Sequence, residues 1–159
     1  MSYLEKQVDA LMRLCVAEDT MDKERLREEV KQMLQLRKFG GLDPEQEIRN
    51  ILLELGSPDH LVGHPYVIRA ILLVVGDQLY INHITFGLYP QLAAEFDTSP
   101  ARVERAIRHL IEVTWVRGDL DVLDKYFGNT ISASRGKPTN GEFIARIANV
   151  VKSRMREAA

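Results

Sequence analysis

The sequence predicts an all-α fold, a compact multi-helix domain containing a helix-turn-helix and preceded by a small N-terminal helical segment. Three observations lead there. Apolar residues recur at three- and four-residue steps along most of the 159 residues, the period of a helix that buries one face. Glycines, prolines and short polar capping residues interrupt these stripes at about one helix length, where helices start and stop. No segment shows the convincing two-residue alternation of a strand, and no internal repeat is present.

Leu4, Val8, Leu11 and Cys15 place a first helix over about 3–17. Leu26, Val30, Met33 and Leu36 mark a second, which Gly40 and Gly41 end. Asp43 and Pro44 restart the chain as N-cap and first helical residue, and Ile48, Ile51, Leu52 and Leu55 line its buried side. Gly56-Ser57-Pro58 stops this helix, and the boundary between an N-terminal helical segment, 1–57, and a domain, 58–159, is expected there. Val67, Ile68, Ile71, Leu72 and Val75 then form an almost fully apolar helix, expected at the centre of the core, which ends at Gly76-Asp77. A shorter helix over about 85–96 turns Leu88, Leu92 and Phe96 inward, with Pro90 in its opening turns. The corner Asp97-Thr98-Ser99-Pro100 caps and opens a long helix that closes at Gly118. Leu120, Val122, Leu123, Tyr126 and Phe127 predict a short helix, 136–140 a loop, and Phe143, Ile144, Ile147, Val150 and Val151 a last helix.

Bulk properties narrow the function. The composition, 45% hydrophobic and 28% charged, is that of a globular protein rather than a disordered or fibrous one. The longest apolar run, 70–75, is far short of the roughly 20 residues that span a bilayer. The N-terminus lacks a signal-peptide pattern, so a cytoplasmic location without a membrane partner is expected. Cys15, the single cysteine, excludes an internal disulfide and a multi-cysteine zinc site and reads as a packed thiol. The net charge of −2 argues against a generic polyanion binder, but the charge is uneven. Residues 1–57 carry 9 Lys+Arg against 12 Asp+Glu, and 58–159 carry 12 against 11. From 135 to 156 six cations (Arg135, Lys137, Arg146, Lys152, Arg154 and Arg156) stand against Glu142 alone. That stretch is either a phosphate-facing surface or a solvated C-terminal helix whose cations suit its own dipole.

Two helices about three residues apart, the second longer and opened by a hydroxyl cap, have the layout of a helix-turn-helix. In the helix over 99–117, Val103, Ala106, Ile107, Leu110, Ile111 and Trp115 supply the buried side. Arg102, Glu104, Arg105, Arg108, His109 and Glu112 are left near or on the exposed faces. Arg102 and Arg105 share one face of the first two turns, where an inserted helix meets base edges. Each guanidinium matches O6 and N7 of a guanine, and the Glu104 carboxylate matches the cytosine amino group, so a target with adjacent C and G is expected. The plainer reading is a solvated face with internal ion pairs, worth a few tenths of a kcal/mol each. Thr98 and Ser99, with the free N–H groups beside them, suit a phosphate, although capping is the commoner role of such residues.

The run Arg102-Val103-Glu104-Arg105-Ala106-Ile107-Arg108-His109, with Ile111-Glu112-Val113, Trp115 and Arg117-Gly118, resembles the recognition helix of the stage zero sporulation protein A family of response regulators. Leu88-Tyr89-Pro90, Phe127-Gly128, Gly136-Lys137-Pro138-Thr139-Asn140 and Glu142-Phe143-Ile144-Ala145 extend the likeness over about 60–155. The resemblance implies an all-helical effector domain that binds double-stranded DNA at a short box of the TGTCGAA type and regulates transcription during entry into sporulation. Its base-reading residues fall on Arg102, Glu104 and Arg105, and Arg108, His109 and the Lys137 loop are implied as backbone contacts. An RNA polymerase sigma factor is an implied partner. Family members also carry a phosphorylatable receiver, for which the first 57 residues are too few and lack the strands. These N-terminal helices are expected to form a dimer or partner surface, or to pack on the domain itself.

No catalytic, cofactor-binding or metal-ligating residue is expected. His60 and His64 are four apart, but Gly63 and Pro65 disfavour a helix through both, and they read as loop histidines. His83 is isolated, and nucleophile, Walker and dinucleotide motifs are missing. The alternative is a non-enzymatic interaction protein that sequesters or modulates another regulator through its acidic N-terminal part. An RNA module is disfavoured by the lack of aromatic-rich strands.

Overall fold

The computed structural model describes residues 27, 28, 30, 31, 41–128 and 136–158. The chain divides into two units, Met1–Gly41 with Ala159, and Leu42–Ala158. In the first, Arg27, Glu28, Val30 and Lys31 are helical. The helix expected over 3–17 and the rest of the stripe over 26–36 lie outside the described residues.

The second unit is all-helical among the described residues. Asp43 caps α1 (Pro44–Glu54), its carboxylate accepting from the Glu45 N–H at 3.0 Å, with Pro44 in the opening position. α2 (Gly63–Gly76) is the apolar helix, and α3 (Leu79–Asn82) is a single turn. A π-helical turn, Ile84–Leu88, leads into α4 (Tyr89–Glu95). The sequence reading treats 85–96 as one helix. The difference centres on Pro90, which has no N–H to give and whose ring crowds the preceding turn. The Leu88 N–H reaches five residues back to the His83 carbonyl at 2.9 Å, widening the helix just ahead of the ring. α5 (Pro100–Arg117), α6 (Leu120–Phe127) and α7 (Asn140–Ala158) complete the unit.

α2 occupies the centre, packing against α1, α4, α5 and α7. Val67, Ala70 and Ile71 are fully enclosed, and α5 turns Val103, Ile107, Leu110 and Ile111 onto the same core. Ile48, Ile51, Leu52 and Leu55 of α1 are equally inaccessible, and α1 packs on α2 and α7. The helix that the sequence reading sets before a break at 57/58 thus belongs to the unit that begins at Leu42. Its apolar stripe has its partners there, and Gly56-Ser57-Pro58 acts as a corner inside the core. Phe127 and Phe143 stack at 5.3 Å, and Trp115 meets Phe127 edge-on at 5.1 Å, so aromatic contacts join α5, α6 and α7.

One close approach fixes how α2 lies on α5. A Cβ at Gly63 would stand 2.3 Å from the Ala106 carbonyl oxygen, so only a glycine lets the two backbones meet. Gly63→Ala must push α2 away from α5, and we expect a loss of about 1–3 kcal/mol, read as a lowered denaturant midpoint with an unchanged slope.

Candidate nucleic-acid interface

The corner between α4 and α5 is built by the backbone. Asp97 takes a left-handed conformation, φ 50°, after the α4 C-cap, Phe96. The Thr98 N–H then donates back to the Ala93 carbonyl at 2.9 Å, the long bond of a Schellman closure. Aspartate tolerates this φ better than most residues that carry a Cβ. The Ser99 hydroxyl oxygen accepts from the Arg102 N–H at 3.3 Å, and Pro100 opens α5. Thr98 and Ser99 therefore both serve the corner. Ser99 is exposed and Thr98 half-buried.

Beyond the corner, Arg102, Glu104, Arg105 and His109 are all exposed. At 3.6 residues per turn Arg102 and Arg105 stand about 60° apart around the axis, and Glu104 lies about 100° beyond Arg105. His109 falls near Arg102, and Arg108 lies between Arg105 and Glu104. Arg102 and Glu104 spend no side-chain hydrogen bond or ion pair on other described residues, whereas Arg105 Nε reaches only its own helix, the Ala101 carbonyl at 3.3 Å. The first two turns of α5 thus present two guanidinium groups and a carboxylate to the outside on a helix whose inner side is pinned.

The loop ahead of α7 comes alongside. Thr139 and Glu142 cap α7 reciprocally: the Thr139 hydroxyl accepts from the Glu142 N–H at 3.2 Å, and the Glu142 carboxylate accepts from the Thr139 N–H at 3.4 Å. Arg108 Nη1 donates to the Pro138 carbonyl at 3.0 Å, and its Nε lies 3.7 Å from Glu112 Oε1. Asn140 is buried, and its Nδ2 donates to the Tyr89 hydroxyl and to the Glu104 carbonyl, both at 3.1 Å. Lys137 is exposed and directly precedes Pro138, whose carbonyl Arg108 holds. Burial pushes the Tyr89 hydroxyl above its ordinary range, so it stays protonated. Sequence reasoning passed over Tyr89 and Asn140 as individual site residues. The signal was present: Asn140 sits on the stripe of Ile144, Ile147 and Val151, where a polar residue needs a partner.

Residues 48–151 match the family model described as sporulation initiation factor Spo0A C terminal. The chain belongs to this family. Its members are DNA-binding transcription regulators of sporulation rather than enzymes, and the all-helical architecture agrees with that domain. The match starts inside α1 and runs through most of α7, so the sporulation-factor domain takes in α1 as well.

In this sporulation-factor domain the basic stretch over 135–156 does not form one free cationic face. Arg154 meets Glu47 at 3.2 Å and the Tyr126 hydroxyl at 3.0 Å, Arg146 donates to the Tyr126 carbonyl, and Lys152 to Gln78. Lys137 and Arg156 are exposed, and Arg135 lies outside the described residues. Among the described residues no group of three or more His, Cys, Asp or Glu side chains could hold a metal, and no helix is long and apolar enough to cross a membrane. His64 is not a loop residue: it lies in the first turn of α2 and is buried, and desolvation holds its imidazole below the ordinary value. Proline at the next position fits there because an opening turn needs no N–H bond.

The first helix of the helix-turn-helix is tied to the core by Arg69 of α2, which holds both Glu95 oxygens, at 2.7 and 3.0 Å. The Arg69 hydrogen bonds depress the Glu95 carboxyl below its ordinary 4.5. A depressed carboxyl adds stability that is complete above pH 4.5 and is withdrawn as the pH falls through the lowered value. The pair is partly exposed, with 43% and 26% of the side-chain surfaces open, so the contribution stays within about 1 kcal/mol. Glu95→Gln should flatten the acid side of the stability–pH curve and leave the relative change between pH 6 and 8 small, as followed by thermal unfolding.

Proposed function

We propose that the chain is a sequence-specific transcription regulator that inserts α5 into the major groove of double-stranded DNA and reads a short box containing a CG step. The observation that carries this is the exposed set Arg102, Glu104 and Arg105 on the first two turns of a helix anchored along its whole inner side, in a chain of the sporulation-factor family. Arg102 and Arg105, neighbours on one face, each pair with O6 and N7 of a guanine, and Glu104 accepts from a cytosine amino group. The carboxylate contributes most to discrimination, since beside phosphates it is tolerated only where a donor meets it. Ser99 and Thr98 at the helix start, His109 on the Arg102 side and Lys137 next to Pro138 bracket the reading residues and contact backbone phosphates. Arg108, whose guanidinium is engaged with Pro138, contributes to that backbone face through the loop it holds.

The segment ahead of the domain is proposed as its regulatory or pairing element, and an RNA polymerase sigma factor and a second copy bound on DNA as its protein partners, in the cytoplasm. The opposing reading, a protein that sequesters another regulator, does not use the three outward side chains.

Arg105→Ala should weaken binding to a TGTCGAA-type duplex by about 1–3 kcal/mol and erase the preference at one G·C pair. Lys137→Ala should weaken all duplexes alike and lower the salt slope by about 0.9. Gel shifts over a salt series check both. Equal binding of the box and a scrambled duplex by the intact protein would overturn the reading.

A further inference from the structure

We infer that Arg108 and Asn140 are positioning residues that clamp the 136–139 loop to the reading helix, so that Lys137 and the base-reading residues engage DNA as one rigid unit. The inference rests on the DNA-reading proposal above. Three elements converge on the clamp. Asn140, the first residue of α7, bridges the Tyr89 hydroxyl of α4 and the Glu104 carbonyl of α5 through a single amide nitrogen. One turn along α5, Arg108 holds the Pro138 carbonyl. The loop is therefore fastened to α5 at both 138 and 140, to consecutive turns of the same face, and exposed Lys137 sits immediately before the first fastening.

The unmet bonding capacity points the same way. Arg108 Nε and Nη2 and Asn140 Oδ1 are buried atoms without a hydrogen-bond partner. Buried polar atoms without a hydrogen bond are costly to retain, and for Arg108 Nε the 3.7 Å ion pair with Glu112 is the compensation. A purely stabilising contact would be better served by apolar residues. The guanidinium is used here for its position rather than its free charge, through the one hydrogen bond from Nη1 to the Pro138 carbonyl. Only 34% of the Arg108 side-chain surface is open, and its charge is directed toward Pro138 and Glu112. It therefore acts on phosphate through Lys137 rather than directly.

A double-variant cycle on the full chain separates these roles, with a TGTCGAA-type duplex and its scramble titrated over a salt series. Arg108→Lys keeps the charge and removes the Nη1 group that holds the Pro138 carbonyl. It should lower box affinity and reduce the salt slope by about 0.9, the same change as Lys137→Ala. In the Lys137→Ala background Arg108→Lys should add nothing, because the cation it positions is gone. Additive losses would show Arg108 touching phosphate itself and overturn the inference, as would an Arg108→Lys variant that binds like the parent. Asn140→Ser, checked for folding by circular dichroism, should reproduce the Arg108→Lys phenotype, and a folded Asn140→Ser with parental slope would also overturn it. Failure of the parent protein to prefer the box over the scramble defeats the DNA-reading proposal instead, a result read before any variant is compared.

Discussion

The arrangement depends on the seat of α5 against α2. A helix can offer side chains to a groove in a fixed register only if its other side cannot roll or slide, and here that side is fully enclosed at Val103, Ile107, Leu110, Ile111 and Thr114. Burying an aliphatic side chain of this size is worth about 1.5–3 kcal/mol, so rotating the helix to expose the stripe is prohibitive. Gly63 sets the distance, because it lets the first turn of α2 meet the Ala106 carbonyl directly. With the inner side held, the outward arc from Arg102 through Arg105 to Glu104 has no freedom beyond its own rotamers.

Polar contacts then decide which charges remain available. Glu54 accepts from the Tyr126 hydroxyl at 2.6 Å and pairs with Lys125 at 2.9 Å, and these contacts hold its carboxyl below the ordinary range. Arg154 joins the same group from α7. Acids on α1 and cations on α6 and α7 are thereby consumed in holding helices together. Such partly exposed pairs add little stability each, but they commit Arg154, one of the cations of the last stretch, to an acid of α1.

Much of the fold was readable because it is written in short-range physics. The cap at Asp43, the proline starts at 44 and 100, the hydroxyl at Ser99 and the glycine stop at 118 act within a turn of where they stand. The 3.6-residue stripes identify a buried face without naming what covers it. That limit explains the placing of α1 before a domain boundary: Gly56-Ser57-Pro58 marks a chain reversal equally well between domains or inside a core. It also explains the π-turn, whose extra residue reflects how Pro90 and the buried Leu88 are accommodated together.

The sequence by itself determined the helical class, the corner at 96–99 and the outward placing of Arg102, Glu104 and Arg105, since these follow from periodicity and capping within a single helix. Its match to the sporulation-factor family follows from the same unbroken run of residues. Only the tertiary structure decided that α1 joins the core, that Arg146 and Arg154 of α7 are engaged by neighbouring helices, and that Asn140 and Arg108 bring the Lys137 loop to the reading helix. Those outcomes hinge on contacts between residues 20 to 107 positions apart, and no local pattern specifies which distant carbonyl or carboxylate a side chain will meet.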